Sequence, residues 1–291
     1  MKPKIDINNP IVKLGLEVLK QQTKIALETS QDAEKAIMPI YAIPKAKAHQ
    51  KPKRKAEQFG SGVLFTLKNN YFILSTTHLF EAFDGYALQT GFGDGEIIEA
   101  LGGERFSSGK IDKPYANQLD ATVFHIQTKL SDKLKDLALS MDDLALKEDD
   151  EKTKPIYLAS GFRIKKSNTT GNQVYSKREA FPSIQVNKEV YEMYGIDCVR
   201  QFITSYEDDV LVNGHWQKSP RPKGFSGGGL IKVEGTNALN LKSEKTATKQ
   251  KLKGIITEQH REKGNKPGVL ISTNINVHLG LIYQFMPELF D

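Results

Sequence analysis

From Phe59 onward the apolar residues come in short runs rich in β-branched and aromatic side chains, and Gly, Asn or Pro breaks each run before it reaches helical length. GVLFTL at 62–67, YFIL at 71–74, DATVFHI at 120–126, PIYLA at 155–159, GLIKV at 229–233, KGIIT at 253–257 and GVLIS at 268–272 are the clearest. Branched side chains pack well on a pleated surface, so these runs predict many short antiparallel strands. Later in the chain, helical texture is confined to SMDDLAL at 140–146, where Ser140 could cap a turn, and HLGLIYQFMPELF at 278–290. Strands therefore do not alternate with long helices, which argues against an α/β fold and for an all-β body.

The N-terminal stretch has a different texture. Pro10 follows Asn8 and Asn9, and Ile11, Leu14, Val18 and Ile25 fall near helical spacing, which predicts an amphipathic helix over 10–29 that docks on the body or meets a protein partner. Residues 36–43 offer a first strand, and PKAKAHQKPKRKAEQ at 44–58 has no apolar period and reads as a linker or exposed loop. The expected organisation is residues 1–57 as helix and basic linker, 58–138 as a first half, and 139–291 as a second half with the C-terminal helix. KEDDEKTK at 147–154 reads as an exposed loop near the boundary.

Charge matters once it is located. Residues 1–57 hold 12 Lys+Arg against 6 Asp+Glu, which accounts for the whole net charge of +6; the remainder holds 29 of each sign. Such an arm could meet nucleic acid, but it has few interleaved aromatics and matches no binding motif, so a solvated linker is expected and nucleic acid is not. The single cysteine, Cys198, can form no intramolecular disulfide, as is usual in a reducing compartment. With no leader-like start and no apolar run of about 18 residues, a cytoplasmic, non-membrane protein is expected. One cysteine and six scattered histidines offer no metal-ligand spacing, and the glycine clusters at 91–95 and 102–103 lack the context of a phosphate loop, so neither metal nor cofactor is expected.

Serine chemistry on an amide needs a base, a buried carboxylate to orient it, and donors for the oxyanion. Gly-Phe-Ser-Gly-Gly-Gly at 224–229 puts Ser226 in a turn whose glycines reach conformations closed to other residues, so the N–H groups of Gly224 and Ser226 could point at one spot. His78 lies near the end of YFILSTTHLF, an apolar strand followed by hydroxyl residues, the histidine and an apolar helical turn, and Asp120 lies at the head of LDATVFHI, after Leu119 and before an apolar run. Each also has a plain structural reading: a tight turn, a satisfied core histidine, a capping aspartate.

Taken jointly, GSGVLF at 60–65, ILSTTHLF at 73–80, LDATVFHI at 119–126, KGFSGGGLI at 223–231, and LKGIITEQ with NKPGVLIST at 252–259 and 265–273 resemble, in order, segments of the trypsin-like (chymotrypsin-fold) serine proteases, in character nearest the disulfide-free bacterial members. The resemblance covers roughly residues 36–285, and His, Asp and Ser occur in the family's order, 42 and 106 residues apart. It implies two antiparallel Greek-key β-barrels with the active site between them, and a serine endopeptidase acting on polypeptide through an acyl-enzyme. His78 would be general base and then acid, Asp120 would fix its tautomer, and Ser226 would be the nucleophile. Substrate would pair as an added strand along Thr257 to Gln259.

Departures sharpen the expectation. Phe225 stands where digestive members carry an aspartate that receives a newly cleaved N-terminus, so activation by N-terminal trimming is not expected. Pro220 stands at the specificity position, so cleavage after Arg or Lys through that residue is not supported. Glu258, Gln259 and Gly268 fall near the pocket wall, with Gln259 replacing a common glycine. Three other readings remain: a nucleophile elbow, since residues 224–228 also satisfy G-x-S-x-G; an inactive peptide-binding module; and a protease that a partner must activate. Trp216 fits either the rim of the site or a surface loop.

Overall fold

The computed structural model describes residues 9–29, 32–43, 56–82, 86–92, 94–109, 119–147, 155–170, 173–212, 215–236 and 248–291. Of the described residues 46% are in strands and 25% in helices, a mostly β composition. Among the described residues one sheet comprises β1 (Ile37–Ile43), β2 (Glu57–Leu67), β3 (Asn70–Ser75), β4 (Ala87–Thr90), β6 (Glu99–Ala100), β7 (Gly103–Ser107) and β8 (Thr122–Ile126). Its order is β6-β4-β1-β2-β3-β8-β7, with antiparallel pairs throughout, and it curls into a half-barrel. Lys68 and Asn69, with φ of 45° and 63°, close β2 onto β3 as a two-residue turn of the kind that matches strand twist.

The second sheet comprises β9 (Ile156–Thr170), β10 (Gln173–Ser183), β11 (Gln201–Ser205), β14 (Gly229–Glu234), β15 (Lys249–His260) and β16 (Val269–Asn274), together with β5 (Asp94–Ile97) from the first half of the chain. Its order is β11-β16-β15-β14-β9-β10-β5. A separate ribbon pairs β12 (Asp209–Val212) with β13 (His215–Lys218), which carries Trp216.

The two sheets share one core. Val63, Phe65, Phe72 and Leu74 of the first meet Leu158, Ile231, Leu252 and Ile255 of the second, and Ile275, Leu279 and Ile282 of helix α6 (Ile275–Phe285) complete it. Polar side chains stitch the same seam. Gln58 Nε2 donates to Phe162 O at 2.8 Å, and Phe162 N donates to Ser61 Oγ at 2.9 Å, so the first sheet satisfies both main-chain groups of one residue of the second. The expected linker over 44–58 is therefore corrected at its end: Glu57 and Gln58 open β2, and Gln58 is buried because it caps that seam. Residues 44–55, like 148–154 of the expected boundary loop, lie outside the described residues.

Helix α1 (Pro10–Glu28) matches the expected span to within one residue, with Asn9 Oδ1 accepting from Ile11 N at 2.9 Å as its cap. Its docking differs from expectation. Of its residues Ala26 alone is buried, while Ile11 and Leu14 are 81% and 67% exposed, so the helix is held by its C-terminal end and not along its apolar face. Four further helices escaped the sequence reading: α2 (Asp32–Lys35), α3 (Thr77–Glu81, anticipated only as a helical turn), α4 (Asp132–Lys135) and α5 (Lys188–Tyr194). The expected turn after Ser140 is a short 3₁₀ helix, Met141–Asp143, closed by a capping box between Ser140 and Asp143. No helix among the described residues is long and apolar enough to cross a membrane.

Helix α2 leads into β1 through a buried clasp. Glu34, 4% exposed, accepts from Gln250 Nε2 at 2.9 Å and Ser160 Oγ at 3.2 Å, with Arg178 Nε 3.9 Å away. Burial lowers the Arg178 pKa against the opposing pull of Glu34. A Glu34→Ala variant removes the carboxylate that accepts from Gln250 Nε2 and Ser160 Oγ and that faces the Arg178 charge, so we expect a stability loss of about 2–4 kcal/mol, read as a lower urea midpoint at unchanged m-value.

His278 of α6 is fully buried and bonds Ser75 O through Nε2 at 2.9 Å. Burial pushes its pKa down to about 4, outweighing the Ser75 bond and the Asp120 charge, which act to raise it. Because the folded pKa lies below the unfolded value of about 6.5, the folded protein resists protonation that the unfolded chain accepts. The stability tied to neutral His278 is thus complete above about pH 6.5 and is lost as pH falls toward 4. Between pH 7 and 4.5 the parent should lose about 2 kcal/mol more than His278→Gln in urea unfolding.

Candidate active site

Strand β3 ends at Ser75, and α3 starts two residues later with Thr76 extended at its N-cap. The first turn of a helix has main-chain N–H groups without intrahelical acceptors. Here they meet Asp120: Thr77 N and His78 N donate to its Oδ1 at 2.6 and 3.2 Å, and His78 Nδ1 lies 2.5 Å from its Oδ2. Asp120 is 2% exposed, so three donors offset the desolvation of its carboxylate. As a carboxylate accepts only, the proton between them belongs to His78 Nδ1, which leaves Nε2 as the basic nitrogen. The His78 side chain is 30% exposed. The backbone around Asp120 is held as well, since Thr77 Oγ1 donates to Ala121 O at 2.8 Å and Thr273 Oγ1 of β16 donates to Asp120 O at 3.3 Å.

Two reverse turns meet at Phe225, and Ser226 is the second residue of the later one. Phe225 N donates to Pro222 O at 2.9 Å and Gly228 N donates to Phe225 O at 2.7 Å. The third residue of each turn, Gly224 and Gly227, has φ of +106° and +82°, as the glycine of a type II turn must. Space demands glycine too: a Cβ on Gly227 would sit 1.9 Å from Ser61 O, and one on Gly224 would sit 2.5 Å from Phe162 O. Among the described residues the N–H groups of Phe225, Gly227 and Gly228 have acceptors, while those of Gly224 and Ser226 have none. These are the two N–H groups that the sequence assigns to an oxyanion hole.

One strand residue brings the two halves of the site together. A Cβ on Gly60 would meet Leu79 Cδ1 at 1.9 Å and Ser226 O at 2.9 Å, so the residue after His78 and the main chain of Ser226 both close on the same point of β2. Ser226 Oγ is within 3.3 Å of Thr257 O.

Thr257, Glu258 and Gln259 lie on β15. Strand β14 pairs with β15 only as far as Ile255, and beyond it, among the described residues, β15 pairs with β16 alone. A bulge between Ile256 and Glu258 sets Thr257 out of register beside Ser226. Pro220 and Gly268, distant in sequence, are joined by Tyr206, whose hydroxyl donates to Pro220 O at 2.7 Å and whose N–H donates to Gly268 O at 2.9 Å. Burial pushes the Tyr206 pKa up to about 12. Glu258 pairs with His260 at 2.8 Å, and Gln259 Nε2 is buried without a hydrogen-bond partner among the described residues.

Phe225 is 1% exposed, stacks on Phe181 at 5.4 Å between ring centroids, and shares a cluster with Tyr206 and Tyr157. Sequence reasoning missed Tyr206, Thr77 and Ser61. Ser61 lies inside the motif GSGVLF, but its role depends on partners more than a hundred residues away. Among the described residues no cluster of His, Cys, Asp and Glu could hold a metal ion. A scan of protein-family models matches none of them to this chain, and a search of curated proteins finds no relative.

Proposed function

We propose that the protein is a serine endopeptidase built as two Greek-key barrels of the chymotrypsin type, with His78, Asp120 and Ser226 as its triad. The observation that carries this reading is the pairing of buried Asp120 with partly exposed His78 beside a loop that carries Ser226 and, among the described residues, leaves the N–H groups of Gly224 and Ser226 without acceptors. Ser226 Oγ attacks the scissile carbonyl while His78 Nε2 takes its proton. The N–H groups of Gly224 and Ser226 receive the oxyanion, His78 returns the proton to the leaving amine, and water then releases the acyl group by the same base. The edge of β15 at Thr257–Gln259 is available to a substrate strand.

Phe225 supports a further part of the proposal. A buried aromatic cluster has no counter-charge for a new N-terminal amine, so the unprocessed chain is competent. The nucleophile elbow of α/β-hydrolases fits poorly, because Ser226 follows a turn and precedes strand β14, where that motif needs a strand before and a helix after. A second reading, a peptide-binding module without turnover, rests on the approach of Ser226 Oγ to Thr257 O.

A fluorophosphonate probe separates the two. Labelling of the full chain, its loss by at least about 10³-fold in Ser226→Ala and His78→Ala, and a fall of about 10³–10⁴-fold in Asp120→Asn are the expected results. No labelling of the folded parent would favour the binding module.

A further inference from the structure

Ser61 touches the nucleophile loop on both sides of Phe225. Its N–H donates to Ser226 O at 2.9 Å, and its Oγ donates to Gly224 O at 2.9 Å. The residue is itself held in place. It is fully buried in β2, its carbonyl accepts from Ser75 Oγ at 2.9 Å, and its Oγ accepts from Phe162 N at 2.9 Å. Ser75 O in turn bonds His278 Nε2 of α6. A chain of hydrogen bonds thus runs from the C-terminal helix through two serines to the main chain on either side of Phe225.

The two carbonyls fixed by Ser61 belong to the peptide units that follow Gly224 and Ser226, and the two unpartnered N–H groups belong to the units that precede them. Rotation of a peptide unit is limited by its neighbours, so holding the 224–225 and 226–227 units, together with the two turns that meet at Phe225, sets where the N–H groups of Gly224 and Ser226 point. Donors that are already aimed need no reorganisation when charge develops, which is the source of oxyanion-hole catalysis. Resting on the protease reading, we infer that Ser61 is a positioning residue: its hydroxyl, through Gly224 O, aims the Gly224 side of the oxyanion site while its main-chain N–H holds the Ser226 side, and it never touches substrate.

The inference is tested by the kinetics of fluorophosphonate labelling on the full chain. In that reaction Ser226 Oγ forms the bond to phosphorus, fluoride leaves, His78 takes the hydroxyl proton, and the phosphoryl oxygen occupies the oxyanion site. Ser61→Ala should lower the maximal labelling rate roughly 10- to 100-fold, with the half-saturating probe concentration changed less than about 3-fold and the pH midpoint of labelling unmoved. Loosening of the whole site would move all three. Ser61→Cys keeps the shape with a weaker donor and should give an intermediate rate, and it carries the test if the alanine variant does not fold. A folded Ser61 variant that labels as fast as the parent overturns the inference. Absence of labelling in the parent overturns the protease reading and the inference with it, and is recognised before any variant is compared.

Discussion

The structure around the candidate site depends on one buried carboxylate. Leaving Asp120 charged and 2% exposed would be costly without donors, and the donors come from places that must then stay fixed. The start of α3 supplies two main-chain N–H groups and the His78 ring, and the main chain of Asp120 is bonded from β16 of the other sheet. Satisfying the carboxylate therefore orients the histidine, terminates β3 and ties the two sheets, all with the same few bonds.

The seam between the sheets follows the same logic on a larger scale. Ser61, Ser75 and Ser160 are fully buried, where an unmade hydrogen bond would cost about 1–3 kcal/mol each. Ser61 bonds Gly224 on the nucleophile loop and Phe162 across the seam, Ser75 bonds the Ser61 carbonyl on the neighbouring strand and so steadies it, and Ser160 bonds Glu34 of α2. A network whose members are satisfied is rigid and admits few alternative packings. An apolar seam of the same volume would hold the sheets together but would leave the loop around Ser226 free to choose its conformation.

Several elements were legible from local signals. The α1 span follows from Pro10 after an asparagine cap, and the cores of β2, β3, β8, β9, β14, β15 and β16 fall within the apolar runs, because side-chain packing on a pleat favours those residues wherever the sheet forms. Helix α5 was missed although Asn187 caps it and Gly195 ends it in the left-handed region, since KEVYEMY carries too short an apolar period to stand out. The exposure of Ile11 and Leu14 was not legible either: a helical apolar face announces that it can be buried, not against what.

Local composition by itself determined the β-rich character, the strand segments, the N-terminal helix and the glycines that the Ser226 loop requires, because propensity and positive φ act within a few residues. Tertiary structure alone decided that Asp120 reaches His78 across 42 positions, that Tyr206 joins Pro220 to Gly268, and that Ser61 holds the loop at Gly224 and Ser226. Those contacts depend on the register of strands far apart in the chain. Register is set by how two sheets share one core and satisfy their buried polar groups, which no short stretch of sequence encodes.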